Sequence, residues 1–227
     1  MTLDDALTEL MAHIEPGRAE AMRTYHKQTR DVLGIPNPAL NDLTTGWRHT
    51  LPVPERVDLA RALWDTDIFE ARIAAAKLLT QARIKDDEQT WILIQSWVPQ
   101  FDSWAIADHV CMAGQKRLLA NPTRVSEVED WTHSTHMWTR RAALVITLPW
   151  TKQNNPKPTD IEIRDRVLRW CARYVDDRDW FMQKAIAWWL RDLSKHDAPR
   201  SAAFLDRYGD QMKPFARKEA GKYLPKP

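Results

Sequence analysis

The segment KAIAWWLRDL, residues 184–193, decides the fold class. Ile186, Trp189, Leu190 and Leu193 stand at i, i+3, i+4 and i+7, a spacing that gathers side chains on one face of an α-helix and scatters them over both faces of a strand. VDLARALW (57–64) and ARIAAAKLL (71–79) keep the same rhythm, and no segment alternates convincingly with period 2. The chain therefore reads as all-α. Neighbouring helical residues do not share a face, so of Trp188 and Trp189 one indole is expected to pack inward and the other to face a groove.

Breaks in the rhythm fall at GIPNP (34–38), LPVP (51–54), NPT (121–123), PWTKQNNPKP (149–158) and HDAP (196–199). Pro, Asn and Gly end helices there, which leaves about twelve or thirteen helical segments. Within them an acidic or polar residue, any residue, and then an aromatic recurs: Asp67-Ile68-Phe69, Asp102-Ser103-Trp104, His136-Met137-Trp138 and Asp179-Trp180-Phe181. The aromatics are 35, 34 and 43 residues apart. The long interval holds the polar insertion TKQNNPKP (151–158), which lengthens a connection without disturbing the unit. Two-helix repeats of the HEAT or armadillo kind have this period, and stacked pairs build a curved solenoid whose equivalent positions form stripes across a concave surface.

Those stripes can be read by position. Three residues after each aromatic stand Arg72, Ala107, Arg141 and Lys184, a mainly basic column. Four residues after stand Ile73, Asp108, Ala142 and Ala185, an apolar column broken only by Asp108. A charge that breaks a local rule without visible structural gain tends to be functional. Trp104 and Asp108, four apart, share a helix face. The pair fits either a core indole beside an acid held by a neighbouring arginine, or an indole and a carboxylate set together at a site. Arg72 and Arg141 are read either as solvated cations covering apolar surface with their stems or as a row facing phosphates.

With 227 residues, 44% hydrophobic and 28% charged, the chain can bury one sizeable core, and a single domain over 1–227 is expected. Twelve tryptophans against six glycines disfavour a loop-rich fold and require large cores or flat ligands to cover the indoles. MTLDDALTELMAHIEP (1–16) is acidic and amphipathic, unlike a signal peptide, and no stretch reaches membrane-spanning length, so a cytoplasmic protein with no membrane contact is expected. Cys111 and Cys171 lie apart without a CxxC, as ordinary buried thiols do. Net charge is only +2, yet from Phe181 onward ten Lys/Arg face five acids, which suits a polyanionic partner. Glu129, His133 and His136 have helical spacing but no convincing further ligand and no HExxH, and GxGxxG, Walker A, GxSxG and kinase patterns do not occur. Neither a metal nor another cofactor is expected.

TYHKQTRDVLGIPNP (24–38), WAIADHV (104–110), STHMWTRRAALVITL (134–148) and above all DWFMQKAIAWWLRDLSK (179–195) carry a resemblance. Over most of its length the chain resembles the HEAT-like-repeat DNA glycosylases of bacterial DNA alkylation repair, the AlkD type. The resemblance implies a monofunctional enzyme of base excision repair, working as a monomer on double-stranded DNA that contains alkylated bases such as 7-methylguanine or 3-methyladenine. It implies that Trp104 and Asp108 match the family's central indole and catalytic aspartate, Arg141 its groove arginine, and Trp188 its second site indole. Arg72, Lys184 and Arg191 would join Arg141 on phosphates, and the backbone would be captured without inserting the base into a pocket. Ala105 stands where the better-known members are expected to carry an acid, and the 151–158 connection is longer; both departures bear on substrate range more than on fold. The family also includes relatives that bind DNA with little excision. A noncatalytic DNA-binding solenoid and a protein-interaction solenoid thus stand beside the glycosylase reading.

Overall fold

The computed structural model describes residues 1–225. The described residues form thirteen α-helices and no strand, in two compact units, Met1–Ala120 and Asn121–Pro227. The first holds α1 (Leu3–Met11), α2 (Arg18–His26), α3 (Asn37–Thr50), α4 (Val53–Asp65), α5 (Phe69–Leu79), α6 (Glu88–Trp97) and α7 (Trp104–Ala120). The second holds α8 (Val125–Trp131), α9 (Met137–Ile146), α10 (Pro158–Arg173), α11 (Trp180–Ser194), α12 (Ala198–Tyr208) and α13 (Pro214–Ala220). Every expected break falls at a helix boundary, several running into the first turn of the next helix, and in places it holds a single turn of 3-10 helix such as Leu148–Lys152.

The repeat read from the sequence has a structural meaning. Each recurring aromatic is the first or second residue of α5, α7, α9 or α11, so the tripeptide marks the start of every other helix. In the first unit α3, α5 and α7 lie side by side, with α4 packed on α5 and α6 on α7; in the second, α9, α11 and α13 lie side by side, with α8 on α9 and α12 on α11. All residues of α5 are buried, because helices cover it on several sides and its run of alanines permits close approach. The polar residue of the tripeptide has a local role as well. Asp179 caps α11 by accepting from the backbone N–H groups of Phe181 (2.7 Å) and Met182 (3.2 Å). Asp67 and Asp102, from two successive repeats, are joined by one guanidinium: Arg30 Nε donates to Asp67 at 3.0 Å, while its two terminal nitrogens grip Asp102 at 3.0 and 2.6 Å.

Most indoles are accounted for by the core. Trp64 and Trp97 stack at 4.4 Å, and Trp91, Trp150, Trp170 and Trp189 are fully buried with them. The indole N–H groups of Trp47, Trp64, Trp150 and Trp170 donate to Glu9, Gln100, Asp160 and Glu129, so these four rings are satisfied, whereas the buried N–H of Trp189 has no partner among the described residues. In KAIAWWLRDL the four periodic residues are fully buried, Trp189 among them, whereas Trp188 is only half-buried. Both cysteines are buried thiols. Among the described residues no helix is long and apolar enough to cross a membrane.

A buried carboxylate positions the segment that approaches α7. Glu70 accepts from the backbone N–H groups of Leu33 (2.9 Å), Gly34 (2.7 Å) and Ile35 (3.2 Å). Gly34 has φ +85°, and a Cβ there would stand 2.7 Å from the backbone nitrogen of Ala19, so the turn accepts no other residue without strain. This clamp sets the path of residues 27–36 between α2 and α3.

Candidate active site

Ser103 directly precedes α7, and Trp104 opens the helix, which places Asp108 one turn further on the same side. Both side chains are half-buried. In the column to which Asp108 belongs, Ile73, Ala142 and Ala185 are buried. Asp108 is thus the member of that column that keeps access to solvent, as its charge requires.

Trp104 is walled by α2. The His26 ring lies 5.1 Å from the indole and 4.8 Å from Phe69, the equivalent aromatic of the preceding repeat. Tyr25 meets Trp104 edge-on at 6.1 Å and is 71% exposed. On the next residue of α7 after Asp108, His109 turns its Nδ1 to the carbonyl of Ala105 at 2.7 Å. Burial pushes both imidazoles below the usual histidine range; the nearby carboxylate of Glu70 partly offsets this for His26, and the Ala105 carbonyl does so for His109. Periodicity does not single out Tyr25 and His26, since a surface aromatic and a lone histidine carry no spacing signal. Lys77 escapes the sequence reading too: burial, reinforced by the charge of Arg48, lowers its ammonium to about 8, and it donates to Asn41 Oδ1.

A pH dependence follows from the two imidazoles. Their folded-state pKa values lie below the unfolded value near 6.5, so the unfolded chain takes up protons first as pH falls. The contribution of these imidazoles to stability should be level above pH 6.5 and decline below it, well before carboxylates that are held low, such as Glu129 and Glu219, begin to protonate. Urea midpoints at pH 7.5 and 5.5 should differ for the wild type and converge in a His26→Phe/His109→Gln variant.

The second unit carries the other residues singled out from the sequence except Arg72. Trp138 on α9 and Phe181 on α11, equivalent aromatics of successive repeats, are 4.7 Å apart; Phe181 meets Trp180, which stacks on Phe215 of α13 at 6.0 Å. Arg141 is 4% exposed, with its guanidinium 5.6 Å above the Trp138 ring. Lys184 is exposed, its ammonium 5.2 Å from the Trp180 ring. Trp188 donates its indole N–H to Asp192 Oδ2 at 3.1 Å, which fixes the plane of the ring, and Arg191 is paired with both Asp192 (3.3 Å) and Glu219. The sequence gives no sign of the parts taken by Asp192 and Glu219.

In the first unit Arg72 is 9% exposed, donates to the Trp64 carbonyl, pairs with Asp67 at 3.0 Å and lies 4.6 Å over the Trp64 ring. The basic column is therefore not uniform: all three cations lie near indoles, but Lys184 is exposed while Arg72 and Arg141 are buried. The histidine spacing considered for a metal is otherwise engaged. Glu129 holds Arg166, Arg173 and Trp170, His133 accepts from Arg173 at 3.0 Å, and His136 bonds to Thr139 at 2.9 Å.

Comparison with known proteins gives this geometry a context. A predicted DNA alkylation repair enzyme from Enterococcus faecalis superposes with a TM-score of 0.79 at 22% identity, over 94% of this chain and 97% of that one. AlkD2 from Streptococcus mutans matches with a TM-score of 0.68 at 17% identity, over 99% and 100% of the two chains. A third structure, smu.31 from Streptococcus mutans UA159, has a TM-score of 0.64 at 19% identity, over 83% and 92%. These likenesses show a shared helical fold. The search of curated proteins found no match. The family model of DNA alkylation repair enzymes matches residues 6–224, nearly the whole chain, and the protein belongs to that DNA repair family.

Proposed function

We propose that the protein is a monofunctional DNA glycosylase that hydrolyses the N-glycosidic bond of positively charged alkylpurines, 7-methylguanine and 3-methyladenine, in duplex DNA. The observation that carries this reading is Asp108: a solvent-accessible carboxylate one turn from a half-exposed indole, in a column where the other repeats bury apolar side chains.

An N7- or N3-alkylated purine already bears a positive charge. When the bond from C1′ breaks, its electron pair leaves with the base and neutralises that charge, so no strong general acid is needed. The difficulty is the sugar, which becomes electron-poor. An ionised Asp108 stabilises the oxocarbenium character of the deoxyribose and orients the water that adds to C1′. That water loses a proton, and the product is an abasic site. Indole faces attract cations by about 0.5–2 kcal/mol, depending on desolvation, which is the part proposed for Trp104 and Trp188 against the sugar. His26 and Tyr25 hold Trp104 in place from one side.

Arg72, Arg141, Lys184 and Arg191 are proposed to take phosphates, contacts that position the duplex and carry no base information. Arg191 and Arg72 would exchange their present carboxylates for phosphate, whereas Lys184 needs no exchange. The deciding experiment incubates the wild type with methylated duplex DNA and quantifies free 7-methylguanine and 3-methyladenine. Release well above the spontaneous rate is the expected result. Duplex binding with release no faster than the buffer control would replace this reading by that of a noncatalytic DNA-binding relative.

A further inference from the structure

The polar insertion at 151–158 lengthens one repeat, and nothing in the proposed chemistry uses it. In the structure it docks on the end of α11: Asn154 Oδ1 is 2.6 Å from His196 Nδ1, and the buried guanidinium of Arg164 holds the Gln153 carbonyl at 2.6 Å. This places Lys152, 61% exposed, 4.0 Å from Asp192. Asp192 is the carboxylate that already holds the Trp188 indole and Arg191.

Other cations converge on the same surface. Lys195 caps the end of α11, and Lys222 follows α13; their ammonium groups lie 4.5 and 5.4 Å from the ring of Tyr223, itself exposed. Glu219, which pairs with Arg191, is held below the usual carboxylate range by Arg191 first and by Lys184 and Lys222 as well. Lys152 and Arg191 thus face Asp192, while Arg191, Lys184 and Lys222 face Glu219; Lys195 shares the Tyr223 ring with Lys222, and both carboxylates are already engaged by Arg191. Among the described residues no carboxylate pairs with Lys195 or Lys222. Their position at a helix C-terminus suits cations in general, but that rule does not account for Lys152, which comes from a separate connection.

We propose that Lys152, Lys195 and Lys222 form a phosphate-binding patch for the duplex DNA backbone, which extends the α11 face beyond Lys184 and Arg191. The proposal rests on the DNA glycosylase reading given above. Lys184 and Lys195 are eleven residues apart on one helix, about 16 Å at 1.5 Å per residue. That span covers several phosphates at about 3.4 Å of rise per nucleotide along a strand. The insertion therefore supplies one of the patch's three lysines, and the patch lies outside the chemistry.

The test uses the full chain and an undamaged duplex, because phosphate contacts do not read sequence or lesion. Affinity is measured from low to moderate salt for the wild type and for Lys152→Gln/Lys195→Gln/Lys222→Gln, with thermal melts to verify folding. For every phosphate that is no longer neutralised, the slope of log affinity against log salt should become shallower by about 0.9, so the slope of the triple variant should be shallower by roughly two to three. A wild type with a steep slope and a triple variant with the same slope would overturn the patch and leave the glycosylase reading intact. A wild type with no salt-dependent duplex binding would overturn both.

Discussion

Asp108→Asn should release 7-methylguanine from methylated duplex roughly 10²–10³-fold more slowly than the wild type, the loss typical when one preorganised electrostatic group is removed from a developing charge. The expectation follows from the electronics of the substrate. A cationic base leaves without help, so the barrier lies in the sugar, and the amide of asparagine has the shape of the carboxylate without its charge. Duplex affinity should be unchanged or slightly higher, since removing an anion near a polyanion reduces repulsion. That combination, lower turnover without weaker binding, separates the effect from a folding defect. Release by Asp108→Asn at the wild-type rate would remove Asp108 from the mechanism, and with it the interpretation of the exceptional position on α7.

The second large effect is on stability. Glu70→Ala should destabilise the protein by about 3–5 kcal/mol, because three backbone N–H groups, those of Leu33, Gly34 and Ile35, lose their shared acceptor at once. For a chain of this length each kcal/mol moves the melting point by about 2–4 °C, so a fall on the order of 10 °C is expected. Base release should fall too, at temperatures where the variant is still folded. The turn that Glu70 clamps sets the path of the segment following α2, and α2 carries His26 and Tyr25 against Trp104. A melting point within about 2 °C of wild type, less than one kcal/mol on that scale, would show that the turn holds its shape without this carboxylate.

The local pattern of the chain announces the helices well. Ile186, Trp189, Leu190 and Leu193 stand out by spacing alone, and all are fully buried. The recurring tripeptide likewise marks the starts of α5, α7, α9 and α11. The basic column is legible as positions but not as surface. Arg72 and Lys184 occupy equivalent places, yet one folds onto Trp64 and Asp67 while the other stays exposed. A long side chain can turn either way from one Cβ, and neighbouring rings and carboxylates decide which. The abundance of tryptophan is ambiguous for the same reason: a stacked core pair such as Trp64 and Trp97 and a half-exposed ring such as Trp104 look alike in a sequence.

The amino-acid sequence by itself determined the all-helical class, written in residues within a few positions of one another, and the repeat with its odd carboxylate at Asp108, written in a short pattern that recurs along the chain. Tertiary structure alone decided what surrounds them. Arg30 reaches Asp67 and Asp102, 37 and 72 residues away; Glu70 clamps a turn of an earlier segment; His26 lies against Trp104; and Lys152 comes to rest beside Asp192. Helical periodicity is a property of neighbouring residues, whereas these contacts join charges and rings brought together only when the chain doubles back and buries its apolar faces.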